Sequence, residues 1–226
     1  MARVSVAILD RPLYSIWEAA LLLRVPSVTL RRWLEGATVK GVFYPPVIRA
    51  APTGGDDVTW GEFIEAGLLR GYRDKRVPLQ KMRPFIERMR NQFDVPYPLA
   101  HFKPMVDKKQ LVYTLQTETG LDPALYLIRA EGDQLFWAPP VKAFLETVDF
   151  DPESVVIRLH PMGKAQPVAI DPELAFGIPQ IRGIRTELIA ESVGAGGIQE
   201  AVTSWGLTPA EVDAALVWES SLARAA

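Results

Sequence analysis

The sequence has no cysteine. That excludes disulfides, thiolate nucleophiles and thiolate metal sites. Only two histidines occur, His101 and His160. Neither has a carboxylate at metal-ligand spacing in the chain, so no zinc site is expected and both are read as structural. No apolar run approaches the ~20 residues of a membrane-spanning helix. The brief apolar run before Asp10 and Arg11 is too short for a signal peptide. These absences predict a soluble cytoplasmic protein without membrane contact. No Ser-His-Asp order or nucleophile elbow is present, and Gly163-Lys164 is not part of a phosphate loop. Gly194-Ala195-Gly196-Gly197 has no preceding strand and reads as a helix-joining turn. Asp149, Asp151 and Glu153 are crowded, but a solvated turn accounts for them better than a divalent ion. The expectation is a non-enzyme with no catalytic residue, metal or cofactor.

What is present is an uneven charge. Residues 1–103 hold 16 Lys plus Arg against 10 Asp plus Glu, a net +6, whereas residues 104–226 hold 9 against 17, a net −8. The first half can approach a polyanion that the second would repel. With 226 residues, 48% of them apolar, the chain can bury a core in one large or two small domains. The expected class is α+β, with domains at 1–97 and 98–226 separated near Val95-Pro-Tyr-Pro-Leu-Ala100.

Ser15 with Glu18 three residues later is a capping box, opening a helix through Ala19, Leu22 and Leu23. Pro26 breaks the pattern and fits the first turn of a second helix carrying Val28, Leu30, Trp33 and Leu34, which Gly36 stops. The β-rich residues 41–50 and Val58–Trp60, around Gly54-Gly55, predict a hairpin. Helices are expected over 61–72 and 79–93. A mixed, β-rich middle follows, with strands at 111–116, 124–130, 134–138 and 154–159 and a turn at Glu131-Gly-Asp133. The tail predicts three helices, at 187–193, 198–205 and 209–220, the last with Thr208 as N-cap and Pro209 at the first position.

Two helices sharing a small core can leave one face of the second free for the major groove. Ala19, Leu22, Val25, Leu30 and Leu34 can supply that core. Ser27, Thr29, Arg31 and Arg32 then remain outside it. Arginine forks onto guanine O6 and N7, and neighbours diverge by about 100°, so one of Arg31 and Arg32 is assigned to a base and the other to a phosphate. The run from Tyr14-Ser15 through Thr29-Leu30-Arg31-Arg32-Trp33 resembles the DNA-binding helices of MerR-type regulators. That resemblance implies a winged helix-turn-helix whose wing touches the backbone, with Lys40 or Arg49 serving there. Arg70, Arg73, Lys75 and Arg76 could contact flanking phosphate or form a solvated face.

Phe176-Gly177-Ile178-Pro179-x-Ile181-Arg182-Gly183-x-Arg185-Thr186, followed by Gly206-Leu207-Thr208-Pro209, is similar to a small bacterial domain of antitoxins of the VapB type. The order Ile184-Arg185 departs from the usual Thr-Arg. The resemblance implies a type II toxin–antitoxin protein that represses its own operator and neutralises a PIN-domain VapC-type ribonuclease. Arg182 and Arg185, whose guanidinium forks match carboxylates, are the candidate partner-binding residues; both could instead bridge to tail acids. Trp205, Leu216 and Trp218 could form a partner face or a core. A homodimer is expected, since one helix reads only about four base pairs and a twofold pair sets half-sites about 34 Å apart. The alternative is a MerR-like regulator with a small-molecule pocket lined by Tyr113, Tyr126, Phe136 and Trp137.

Overall fold

A computed structural model describes residues 7–73, 75 and 77–224, without the side chains of Lys103 and Pro104. Residues 1–6 and Arg76 lie outside the described residues. The chain is a mixed α/β protein of many helices and two-stranded antiparallel sheets, ending in a helical stretch. It divides into two compact units, Met1–Leu145 with Phe150–Val156, and Glu146–Asp149 with Ile157–Ala226. The boundary expected after residue 97 falls inside the first unit.

In the first unit, residues 7–9 form a helical turn that buries Leu9, and β1 (Pro12–Ser15) then runs straight into α1 (Ile16–Leu23). Ser15 Oγ accepts from the Glu18 amide and Glu18 accepts from the Ser15 amide, so the expected capping box forms. Arg24 takes a left-handed conformation, φ 53°, and the Val25 amide closes back onto the Ala20 carbonyl. Pro26 stands at the N-cap, not inside the helix, and its carbonyl receives the amides of Thr29 and Leu30 as α2 (Ser27–Glu35) begins. Gly36, at φ 75°, ends α2, where a Cβ would sit 2.4 Å from the Tyr44 carbonyl oxygen. Only glycine fits there.

The hairpin after α2 is not the one expected. Strands β2 (Ala37–Val39) and β3 (Val42–Tyr44) pair around Lys40-Gly41, whose φ values of 50° and 79° suit a two-residue turn. Gly54-Gly55 joins no hairpin. Pro45, Pro46 and Pro52 lack the amides a ladder needs, and β4 (Asp57–Thr59) pairs instead with β1. Thr59 and Glu62 make a second capping box at the start of α3 (Trp60–Arg70), whose Trp60, Phe63, Ile64, Leu68 and Leu69 are buried. A 3-10 turn (Leu79–Met82) leads into α4 (Arg83–Phe93).

Residues 111–116, expected as a strand, are helical within α6 (Lys109–Glu118), which follows α5 (Lys103–Asp107). Short apolar runs fit either period. Burial decides here: Val112, Leu115 and Gln116 face inward at helical spacing, and Gln116 Oε1 accepts the amides of Leu127 and Ile128. The strand expected over 124–130 is a 3-10 turn (Pro123–Leu125) followed by β5 (Ile128–Glu131), which pairs with β6 (Gln134–Trp137) around the expected Gly132 turn. Helix α7 (Pro139–Leu145) closes the region.

Strand β7 (Val148–Phe150) pairs with β8 (Val156–Leu159). In the second unit, β9 (Gln180–Ile181) and β10 (Ile184–Arg185) form a tight hairpin across Arg182-Gly183. Helices α8 (Thr186–Gly196), α9 (Ile198–Trp205) and α10 (Pro209–Ala223) then pack around Ile189, Ala201, Leu207, Val212, Ala215 and Trp218. Thr208 and Glu211 cap α10 reciprocally. Among the described residues, no helix is long and apolar enough to cross a membrane.

Candidate nucleic-acid interface

Helix α2 is one-sided. Leu30, Trp33 and Leu34 are buried against Ala19, Ala20, Leu23 and Val25, while Ser27, Val28, Arg31 and Arg32 are exposed. Leu22 and Thr29 are half-buried, so Leu22 supplies less of the core and Thr29 less of the open face than the sequence suggests. The Trp33 carbonyl accepts the amides of both Val47 and Ile48, which ties the segment after the hairpin to α2.

The two arginines differ. Arg31 Nη2 lies 2.8 Å from Asp56 Oδ1, both side chains more than half exposed. Such a pair contributes about 0–1 kcal/mol, so it tethers Arg31 lightly. Among the described residues, the Arg32 guanidinium has no partner. Lys40 sits exposed at the hairpin tip. The strands beside it present Val39, Val42, Phe43 and Tyr44 to solvent, so Lys40 is the one cation of an otherwise apolar hairpin.

Arg49 is a correction. It is buried, and its guanidinium donates to Glu62 Oε1 at 2.6 Å, Glu62 Oε2 at 3.0 Å, Thr53 Oγ1 at 2.7 Å and Glu35, and it reaches the Asp57 carbonyl. No donor is left for a phosphate. Glu35 also accepts the amides of Thr53 and Gly54, which is what folds the Gly54-Gly55 loop. Burial works against the Glu35 carboxylate, but the Gly54 amide, the Thr53 hydroxyl and Arg49 outweigh it and hold its pKa below the usual range. Other cations of the basic half are spent internally too. Arg83 donates to the carbonyls of Pro46, Arg49 and Ala50, and Arg90 to those of Ile48 and Pro96. Arg70, Arg73 and Lys75 are exposed at and beyond the end of α3. The charge count thus overstates what the surface offers, and the sequence carries no signal that would separate an internal arginine from an external one.

In the second unit, Arg182 Nη1 donates to the Gly206 carbonyl at 3.0 Å and approaches Glu211 at 3.7 Å, while its side chain stays 60% exposed. Arg185 stacks over the Phe176 ring at 5.9 Å. Arg182 therefore bridges to a tail acid, Arg185 does not bridge to Glu187, and both remain within reach of a partner. Trp218 is core, Leu216 half-buried and Trp205 at the surface. His160 meets a carboxylate the linear spacing hid: its Nε2 lies 2.7 Å from Asp149 Oδ2, and Lys164 Nζ 2.9 Å from Oδ1. Asp149 is a paired acceptor, not a solvated turn acid; its pKa falls because these hydrogen bonds and charges overcome partial burial. Asp151 caps the Val155 amide. Among the described residues, no group of three or more His, Cys, Asp or Glu is placed to hold a metal ion.

Of the four aromatics expected around a ligand, Tyr113 and Tyr126 meet edge to face at 6.3 Å and line an open surface depression of about 410 Å³ with Pro123, Ala124, Arg129 and Ala130. Phe136 and Trp137 are not in its lining; Lys109 covers the Trp137 ring.

The structure thus defines a two-unit α/β protein in which a helix pair exposes one face of its second helix, joined to a three-helix tail. No protein-family model matches the chain. It is 34% identical over 218 residues to the uncharacterized protein Rv2308 of Mycobacterium tuberculosis, covering 93% of this chain and 91% of that one. The chain belongs to the same family as that protein. A more distant relative from the same organism, 28% identical over 225 residues, 92% of this chain and 93% of its own, carries the name "Putative antitoxin VapB45". The crystal structure of Rv2018 from Mycobacterium tuberculosis shares the fold, with a TM-score of 0.73 and 25% identity over 92% of this chain and 98% of that one.

Proposed function

We propose that this protein is the antitoxin of a type II toxin–antitoxin pair, a non-enzyme that binds its own operator DNA through a winged helix-turn-helix formed by α1, α2 and the β2–β3 hairpin. The observation that carries the reading is the open face of α2, where Ser27, Arg31 and Arg32 stand outside a core of Leu30, Trp33 and Leu34. What sets this face apart from an ordinary solvated one is Arg32, whose guanidinium has no partner among the described residues. Arg32 is assigned to a base edge and Arg31, with Lys40, to phosphates. The homodimer supplies the second half-site. The name borne by the 28% relative supports the antitoxin role. In this reading the tail neutralises a PIN-domain VapC-type ribonuclease, and Arg182 and Arg185 reach the clustered carboxylates of that enzyme. Coexpression with the toxin encoded beside it tests this: the wild type lifts the growth arrest, and failure to lift it ends the antitoxin reading.

The second reading, a ligand-responsive regulator, rests on the open depression beside Tyr113 and Tyr126. A metabolite that raises the melting temperature, with loss of the effect in Tyr113→Ala, would favour it.

A further inference from the structure

At the centre of the open face of α2 stands an apolar side chain, not a charge. Val28 is 70% exposed. At about 100° per residue it lies about 200°, 140° and 240° around the helix from Leu30, Trp33 and Leu34, so it points almost directly away from the core. Arg32 follows it one turn later, and Arg31 lies about 60° to its other side. Val217 and Ile198 are exposed apolar helix residues too, at 55% and 44%, but Val28 is the more exposed and stands beside Arg31 and Arg32. It buries little, it is β-branched, and it is a poorer helix former than alanine or lysine. Water contact over an isopropyl group is tolerated at a position where most surface helices carry a charge. The first helix adds a second exposed apolar residue, Trp17, 59% exposed.

We propose that Val28 reads the C5-methyl group of thymine in the major groove. This rests on the DNA-reading function proposed above. The major-groove edge of thymine is the only one of the four base edges with an apolar group, so an outward valine on a reading helix has one matching target in unmodified DNA. Neighbouring chemistry agrees. Arg32, with no partner among the described residues, is four positions on, a rise of about 6 Å or about two base pairs of 3.4 Å. The pair therefore specifies a thymine and a guanine about two base pairs apart. Arg31, held by Asp56 at 2.8 Å, flanks the site on the side of the loop that carries Asp56.

The experiment uses the full chain and the duplex upstream of its own gene, prepared once with thymine and once with uracil replacing every thymine. Burying one methyl is worth about fourfold in affinity, so a two-half-site complex loses about fifteenfold on uracil DNA. Val28→Ala is expected to bind thymine DNA less tightly and to show a smaller loss on uracil DNA than the wild type does. Thermal melts of Val28→Ala should match the wild type, because the side chain is exposed. Removing methyls also alters DNA stiffness, and the comparison between the two proteins cancels that common term. Equal binding of both duplexes by the wild type overturns the role of Val28 and leaves the DNA reader intact. An equal uracil penalty in wild type and Val28→Ala overturns it also, placing methyl readout elsewhere. No shift of either duplex by the wild type removes the DNA reading itself, and the inference with it.

Discussion

Replacing Arg49 separates the structural role seen here from the phosphate contact that its sequence position suggests. Its side chain is 6% exposed, and those of Glu35 and Glu62 are 13% and 9% exposed. Arg49→Ala leaves two nearly buried carboxylates without their cation and removes the hydrogen bonds that hold Thr53 and the Asp57 carbonyl. Breaking one partner of a buried pair costs about 3–5 kcal/mol. For a chain of this size that is a fall of about 6–20 °C in melting temperature. Arg49→Lys should recover little, since a single ammonium cannot serve both carboxylates and the carbonyl. Arg49→Ala with Glu62→Gln should recover part of the loss, because the stranded charge is gone. Urea titration of the four proteins at pH 7, followed by circular dichroism, measures this. An unfolding free energy for Arg49→Ala within about 0.5 kcal/mol of wild type would refute the burial argument and return Arg49 to the surface.

Burial pushes the Glu65 carboxyl up to about 8, against the Leu99 amide and the Arg90 charge, and its Oε2 is buried without a hydrogen bond among the described residues. Its proton is held more tightly folded than unfolded, so stability present below about pH 4.5 declines as pH rises toward 8; Glu65→Gln should flatten that decline, and unchanged pH dependence of the urea midpoint would contradict it. Asp56→Ala frees Arg31 and removes a negative charge beside it. DNA affinity should rise, because the phosphate contact assigned to Arg31 no longer competes with a carboxylate; a weaker complex would contradict that assignment. Truncation at residue 97 removes the Val156 carbonyl bonded by Trp60 Nε1 and the Tyr126 carbonyl bonded by Tyr72. A fragment ending at 156 should therefore melt cooperatively and one ending at 97 should not. Arg182→Ala with Arg185→Ala should reduce toxin rescue while the protein stays folded, since neither residue is core; full rescue would remove both from the partner surface.

Much of the α2 site was legible because local chemistry sets it. The Ser15 and Thr208 capping boxes, the Pro26 break and the Gly36 stop each act within four residues, and the sequence declares them. What failed depended on distance. Gly54-Gly55 resembled a hairpin turn, but its conformation is set by Glu35, some 19 residues earlier. Residues 111–116 fit two periods, and the choice was made by Gln116 reaching the backbone of Leu127 and Ile128. Arg49 looked like a surface cation because the acids that enclose it are 13 and 14 positions away. Val28 is apolar like the core positions of its helix, yet its place on the opposite face from Leu30 and Trp33 follows from the spacing alone once the core face is fixed.

The central claim, that the open face of α2 reads DNA, is tested most directly by fluorescence anisotropy of the full chain and of Arg32→Ala on the duplex upstream of its own gene and on an unrelated duplex of equal length. The account predicts that the wild type prefers its own duplex at physiological salt. Arg32→Ala should lose about 1–3 kcal/mol on that duplex and much of the preference. Equal wild-type binding to both duplexes, or an Arg32→Ala curve that overlays the wild type, would contradict it.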